Sequence, residues 1–303
     1  MNSLQDCCTP DQESLLNLIF HKNIQEKDVI KKNYIITVLI FIVTGCVSSE
    51  VKQDDLTGNV TSTVELGQVT KIEKNNVAIE PKIDPKAINL LKQMSELLAS
   101  SQQFSFDALT LKEQVLPSGQ KLQYDAKIHV DINRPNAFIG KVNSGAKNKE
   151  LFYDGSHLTL LDLKNNFYAT TEAPENIDDT LDFIMDRYGV SIPLADFLFA
   201  DVNTVLTENT QTGFYVALTE VNGKKAHHLA FSQENVDWQI WIHAEGQPSP
   251  VKFVINYKNK MSEPQFIAFF QNWNLAPSLK TADFNFQPSK DMVKIEFIEV
   301  DEQ

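Results

Sequence analysis

What most limits the folds open to this chain is a succession of short β-type runs, each ended by turn chemistry, with no alternation of strand and helix among them. The runs are Phe104 to Val115, Gln120 to Ile132, Ala137 to Val142, Leu151 to Tyr153, His157 to Leu161 and Phe167 to Thr170. After an interlude come Tyr215 to Val221, Lys225 to Phe231, Trp238 to His243, Val251 to Tyr257 and Gln265 to Trp273. Pro117-Ser118-Gly119, Arg134-Pro135-Asn136, Asp154-Gly155, Lys164-Asn165-Asn166 and Asn222-Gly223 separate neighbouring runs, so adjacent strands are expected to pair antiparallel through tight connections. Asn222-Gly223 is the strongest hairpin signal, because both positions tolerate the left-handed backbone that a two-residue turn demands. A strand, helix, strand order is missing, which argues against a parallel sheet. The expected class is α+β, mainly β: one antiparallel sheet of about ten strands that must close or cover one face to hide its apolar side.

Two helices accompany the sheet. Asp84-Pro85 supplies an N-cap carboxylate and a proline for the first helical position, and Ile88, Leu91, Met94 and Leu98 then recur on one face. In the interlude, Ile177, Leu181, Ile184, Met185 and Tyr188 form a second amphipathic stripe that stops at Gly189, followed by a short apolar segment from Pro193 to Phe199.

All three cysteines lie at or before position 46, so a domain built from later residues has no internal disulfide and stands on its core. Residues 81–303 are long enough for one sizeable core and are read as a single β-rich domain. The net charge of −13 repels phosphate backbones, which argues against nucleic acid as a partner. Residues 47–80 contain no aromatic side chain and no useful periodicity, the composition of a flexible tether with an end-to-end distance of roughly 30 to 35 Å.

Ahead of the tether, Lys31-Lys32, the apolar run Tyr34 to Val43 and the group Val43-Thr44-Gly45-Cys46 resemble a bacterial lipoprotein signal peptide over residues 29–45. The apolar run is shorter than the roughly 20 residues that span a bilayer. The resemblance implies that Cys46 is acylated and anchors the chain to a membrane, with Val43, Thr44, Gly45 and Cys46 as the lipobox. Val47 lacks the aspartate that retains lipoproteins at an inner membrane, which implies the outer membrane, facing the periplasm, if the host has one. Residues 1–28 precede the basic cluster by too far for an ordinary signal, and we read them as a misplaced start with Val29 as the candidate initiator. The alternative is a genuine extension; its adjacent Cys7 and Cys8 match no usual metal-ligand spacing.

From about Ile83 to Ile298, several local features occur together: Arg134-Pro135, Tyr153-Asp154-Gly155, Tyr168-Ala169, Arg187-Tyr188-Gly189, Pro193-Leu194-Ala195-Asp196, His228-Leu229-Ala230-Phe231 and Val236 to Ile242. With Asp84-Pro85 they resemble a bacterial family of predicted periplasmic proteins, domain-of-unknown-function family 2092. The resemblance implies a fold related to the lipoprotein carriers LolA and LolB, a strongly curved sheet or half-open barrel wrapping a few helices around an apolar cavity. One departure is that Asn136-Ala137-Phe138 is neutral where members carry arginine, which weakens the expectation of a basic rim for lipid headgroups.

No motif for chemistry stands out. His227 and His228 are adjacent on a strand and point to opposite faces, so they cannot chelate one ion; His228 is expected at the core edge and His227 in water. His129, His157 and His243 are isolated. Gly-x-Ser-x-Gly and His-Glu-x-x-His do not occur, and the eleven glycines are dispersed rather than gathered in a phosphate loop. Asp237 beside Trp238 could be imagined as a carboxylate with a raised pKa, although a turn aspartate before a strand is the commoner case. No catalytic residue, metal or cofactor is therefore expected.

The remaining signal is apolar excess, with 19 phenylalanines in the chain. Gln265 to Trp273 is apolar on both faces, Phe266 and Phe270 sharing one and Phe269 and Trp273 the other, which a one-sided sheet would not need. Two readings follow. In the first, Phe104, Trp238, Trp241, Phe266 and Phe270 line a hydrophobic cavity, and the protein is a non-catalytic, monomeric, membrane-anchored envelope module holding a lipid or acyl chain. In the second, the interior is filled and an envelope protein docks on an edge or loop. An envelope hydrolase is third.

Overall fold

The computed structural model describes residues 83–145 and 147–300. The lipobox Val43-Thr44-Gly45-Cys46, the signal segment and the tether lie outside the described residues.

The chain enters through helix α1 (Pro85–Ser100), where the Asp84 side chain accepts a 2.8 Å hydrogen bond from the Lys86 backbone N–H. Ala87, Leu91, Met94 and Leu98, spaced three and four apart, are buried on one face, while Ile88 is only half-buried. There follow β1 (Gln103–Val115), β2 (Lys121–Asn133), β3 (Ala137–Asn143), β4 (Asn148–Tyr153), β5 (His157–Asp162) and β6 (Phe167–Glu172). The interlude holds α2 (Ile177–Tyr188), a 3-10 turn at Ala195–Phe197 and α3 (Val202–Thr207). The second strand series is β7 (Thr212–Val221), β8 (Lys224–Ser232), β9 (Val236–His243), β10 (Pro250–Tyr257) and β11 (Gln265–Asn274), and β12 (Val293–Ile295) comes last.

All twelve strands form one curved, unclosed sheet in the order β12-β6-β5-β4-β3-β2-β1-β11-β10-β9-β8-β7. Every neighbouring pair is antiparallel except β12 with β6. Register shifts interrupt the ladders near Asp107, Ala217 and Lys252, where an extra residue sharpens the local bend. Asn222 and Gly223 both have positive φ, 51° and 77°, as the two-residue hairpin requires.

Alternation along the strands sends one set of side chains to the helix-covered face. Phe104 and Phe106 of β1, Ile128, Val130 and Ile132 of β2 and Trp238, Ile240 and Ile242 of β9 meet Leu91, Met94, Leu181, Ile184 and Phe197 in one core. The other face carries a smaller cluster of Ala226, Trp241, Val251 and Val254. There His228 stacks on Trp241 with ring centroids 4.0 Å apart, and the Lys252 ammonium lies 4.5 Å above the same indole, its stem covering what water would otherwise meet.

Trp273 is not on the face that simple alternation gives it. Asn272 adopts φ 52°, and the β1–β11 register slips beside it, so Trp273 turns back to the helix-covered side and packs 4.6 Å from Phe106 and 5.7 Å from Phe270. Phe269 and Ile267 alone make the outer face of β11 apolar, Ile267 against the smaller cluster and Phe269 under Lys252 at 5.3 Å.

Candidate ligand pocket

A pocket of about 120 Å³ opens between β2–β5 and the segment that follows α2. Its sheet wall is built by alternation: Ile128 and Val130 from β2, Phe138, Gly140 and Val142 from β3, Leu151 from β4 and Leu160 from β5. Gly140 makes the space. A Cβ placed there would meet no atom within 4 Å, so the missing side chain leaves a hollow in an otherwise close-packed row.

The opposite wall is Val190, Ser191, Ile192, Pro193 and Leu198. Local chemistry sets its path. Gly189 takes φ 62°, its N–H reaching the Met185 carbonyl at 3.0 Å while Val190 N–H reaches Ile184 at 3.2 Å, which closes α2 and turns the chain away. Leu194, buried and at φ 63°, starts the 3-10 turn. Two side chains pin the far end: Arg134 donates to the Phe199 carbonyl at 2.9 Å, and Asp178 accepts from the Ala200 N–H at 3.0 Å. The motifs Arg134-Pro135, Arg187-Tyr188-Gly189 and Pro193 to Asp196 thus converge on the segment that walls the pocket. Lys147, Lys149 and Glu150 complete the lining where the β3–β4 connection meets it.

A second cavity of about 30 Å³ lies behind the same segment and shares Val190, Ser191 and Ile192 with the first. Asp196 projects into it, buried, with Oδ2 lacking a hydrogen-bond partner. Burial pushes its carboxyl up to about 7. The Tyr257 phenol is raised as well, by burial first and then by the Asp196 charge.

None of the five aromatic residues singled out from the sequence lines the larger pocket. Phe104, Trp238, Phe266 and Phe270 are packed into the main core, Trp238 stacked on Phe231 at 4.1 Å and Phe270 against Phe197 at 5.0 Å. Trp241, three residues from Trp238, faces the other side of the sheet. Aromatic density marks the filled half of the molecule; the hollow is marked by a glycine in mid-strand.

His129 is not isolated. Its Nδ1 lies 2.7 Å from Asp107 and its Nε2 3.1 Å from Asp131, and the hydrogen bond to Asp131, partly opposed by burial and helped by Asp107, raises it to about 9. His228 bonds Gln239 at 2.9 Å, whereas His227 lies half-buried beside the Tyr215 hydroxyl at 3.3 Å rather than in open water. Asp237 is likewise engaged, accepting from the Ser232 hydroxyl at 2.6 Å and pairing with Lys258 at 2.9 Å. Among the described residues no group of His, Cys, Asp and Glu could hold a metal ion, and no helix is long and apolar enough to cross a membrane.

Fold and pocket together define a mainly β protein whose single unclosed sheet wraps helices and leaves a small apolar hollow. The model of the family described as predicted periplasmic protein, domain of unknown function 2092, matches residues 87–298, and the chain belongs to that family. No curated protein matches it. Similar solved structures include the lipoprotein LppX of Mycobacterium tuberculosis, at 10% identity over 65% of this chain and 100% of that one with a TM-score of 0.38. LprF of Mycobacterium bovis gives 11% identity over 65% and 96% with a TM-score of 0.38. A LolA superfamily protein of Nitrosomonas europaea gives 9% identity over 66% and 97% with a TM-score of 0.34.

Proposed function

We propose that this protein is a non-catalytic binding module of the bacterial envelope, anchored through an acylated Cys46, that shelters part of a hydrophobic molecule such as a lipid or acyl chain in the pocket beneath residues 190–198. The hollow at Gly140 is the observation that carries this reading, because a protein with no use for the space could fill it with any β-branched side chain. An apolar cavity of about 150 Å³ suffices for benzene. A pocket of about 120 Å³ therefore suits the end of a chain rather than a whole lipid. Placement at the outer membrane, where the host has one, belongs to the same proposal and rests on Val47 following Cys46.

Native mass spectrometry with lipid extraction on the full chain tests it. A defined added mass is expected in the wild type and its loss in Gly140→Leu, with thermal stability unchanged or raised because the new side chain enters empty space. A bare wild-type mass after gentle handling would overturn the reading.

A second reading is favoured by one feature. Phe214, Val216 and Leu218 on the edge strand β7 are 54%, 43% and 55% exposed. Ile83 and Asp84 engage this edge at Gly213 and Tyr215, and the apolar row beyond them suits a partner strand. A stoichiometric envelope partner recovered with the wild type and lost with Val216→Lys would support it.

A further inference from the structure

Resting on the pocket as an apolar-ligand site, the geometry points to an anionic group at its charged end, so that the ligand is an anionic amphiphile: an acyl chain bearing a carboxylate or a phosphate. About five buried methylenes would on their own give only about millimolar affinity. A chain end in so small a pocket needs help from its head.

Four lysines supply it. Lys147 and Lys149 line the pocket directly. Lys112 extends the inward row of Phe106, Ala108 and Thr110 along β1, with Tyr124 of β2 as its cross-strand partner, and is half-buried. Lys260 lies in the β10–β11 turn with its ammonium 4.9 Å over the Tyr257 ring. Burial first, then the charges of Lys260 and Lys147, lower Lys112 to about 8.

None of the four forms an ion pair among the described residues, although the chain is strongly acidic. Other lysines are matched: Lys121 with Glu113 at 3.0 Å, Lys225 with Glu245 at 2.8 Å and Lys258 with Asp237 at 2.9 Å. The nearby acids are engaged elsewhere. Glu150 faces Lys141 across the strands at 3.9 Å. Asp162 stands opposite Lys149 in the register and its charge reaches Lys147, but it pairs with neither, and its carboxylate accepts from the Lys164 and Asn165 backbone N–H groups at 3.1 and 3.2 Å and from the Asn165 side chain at 3.0 Å. Partly desolvated cations without an ion pair are unfavourable until an anion arrives.

The test uses the fluorescent polyene fatty acid parinaric acid and its methyl ester, titrated into the full chain at pH 7. The acid is expected to bind at least about 10-fold tighter than the ester, and the triple variant K112Q/K147Q/K149Q to bring the acid down to the ester without weakening the ester. Higher salt should narrow the gap. Equal affinity of acid and ester for the wild type, or an unchanged ratio in the triple variant, would overturn the charge selection and leave the apolar pocket standing. Binding of neither probe would overturn the apolar reading itself. Displacement of the acid by millimolar inorganic phosphate, with no ester bound, would assign the site to a free anion and overturn the amphiphile.

Discussion

Asp196 and His129 are both titratable groups whose protonated form the fold prefers, for opposite reasons. Asp196 is held at about 7 by burial against an ordinary 3.8, so unfolding releases a carboxyl that ionises more easily. Its contribution is neutral below pH 4 and becomes an increasing penalty as pH rises towards 7, reaching at most about 4 kcal/mol. Asp196→Asn should therefore raise the melting temperature at pH 8 and leave it unchanged at pH 4, in paired thermal melts. His129 is held at about 9 by its two carboxylates against an ordinary 6.5. Its stabilisation is complete below pH 6.5 and disappears as pH rises through 9. The His129 side chain is 41% exposed, so the pair is worth no more than about 1 kcal/mol. Chemical denaturation of His129→Gln should show that loss at pH 6 and almost none at pH 10.

Among elements, those with a strong local signal were legible. Helix α1 begins at the capping residue Asp84 and α2 ends at Gly189, because an end signal and an apolar stripe agree over more than ten residues in each. Eleven strands lie where alternation and turn residues put them, each within a few residues of its expected bounds. Helix α3 has six residues and β12 three exposed ones, too short for any period to show. Parity counting puts Trp273 on the outer face because it assumes an unbroken strand, and the positive φ of Asn272 breaks it. The pocket's lining escapes the sequence for a related reason: hydrophobic composition reports what fills a core, and Gly140 contributes an absence. The β7–β8 hairpin offers a direct check at this scale. Gly223→Ala, at φ 77° with open space around it, should cost about 1 kcal/mol in denaturant unfolding through backbone strain alone.

For the whole molecule, β1 is the junction. It pairs with β2 through thirteen residues on one side and with β11 on the other, joining a wing of strands from residues 121–172 to a wing from 212–274. The first wing contains the hollow, whereas the second is filled by Trp238, Phe253, Phe266 and Phe270. A ligand at 100 times its dissociation constant should stabilise the fold by about 2.7 kcal/mol, visible as a thermal shift that Gly140→Leu abolishes.

The glycine at the centre of β3 also sets where the protein can yield. Void volume is compressible and packed aromatic rings are not, so mechanical compliance belongs to the first wing and to residues 190–198. Pressure or an entering chain should deform that side first, with the second wing serving as a stiff frame against which the movement is measured.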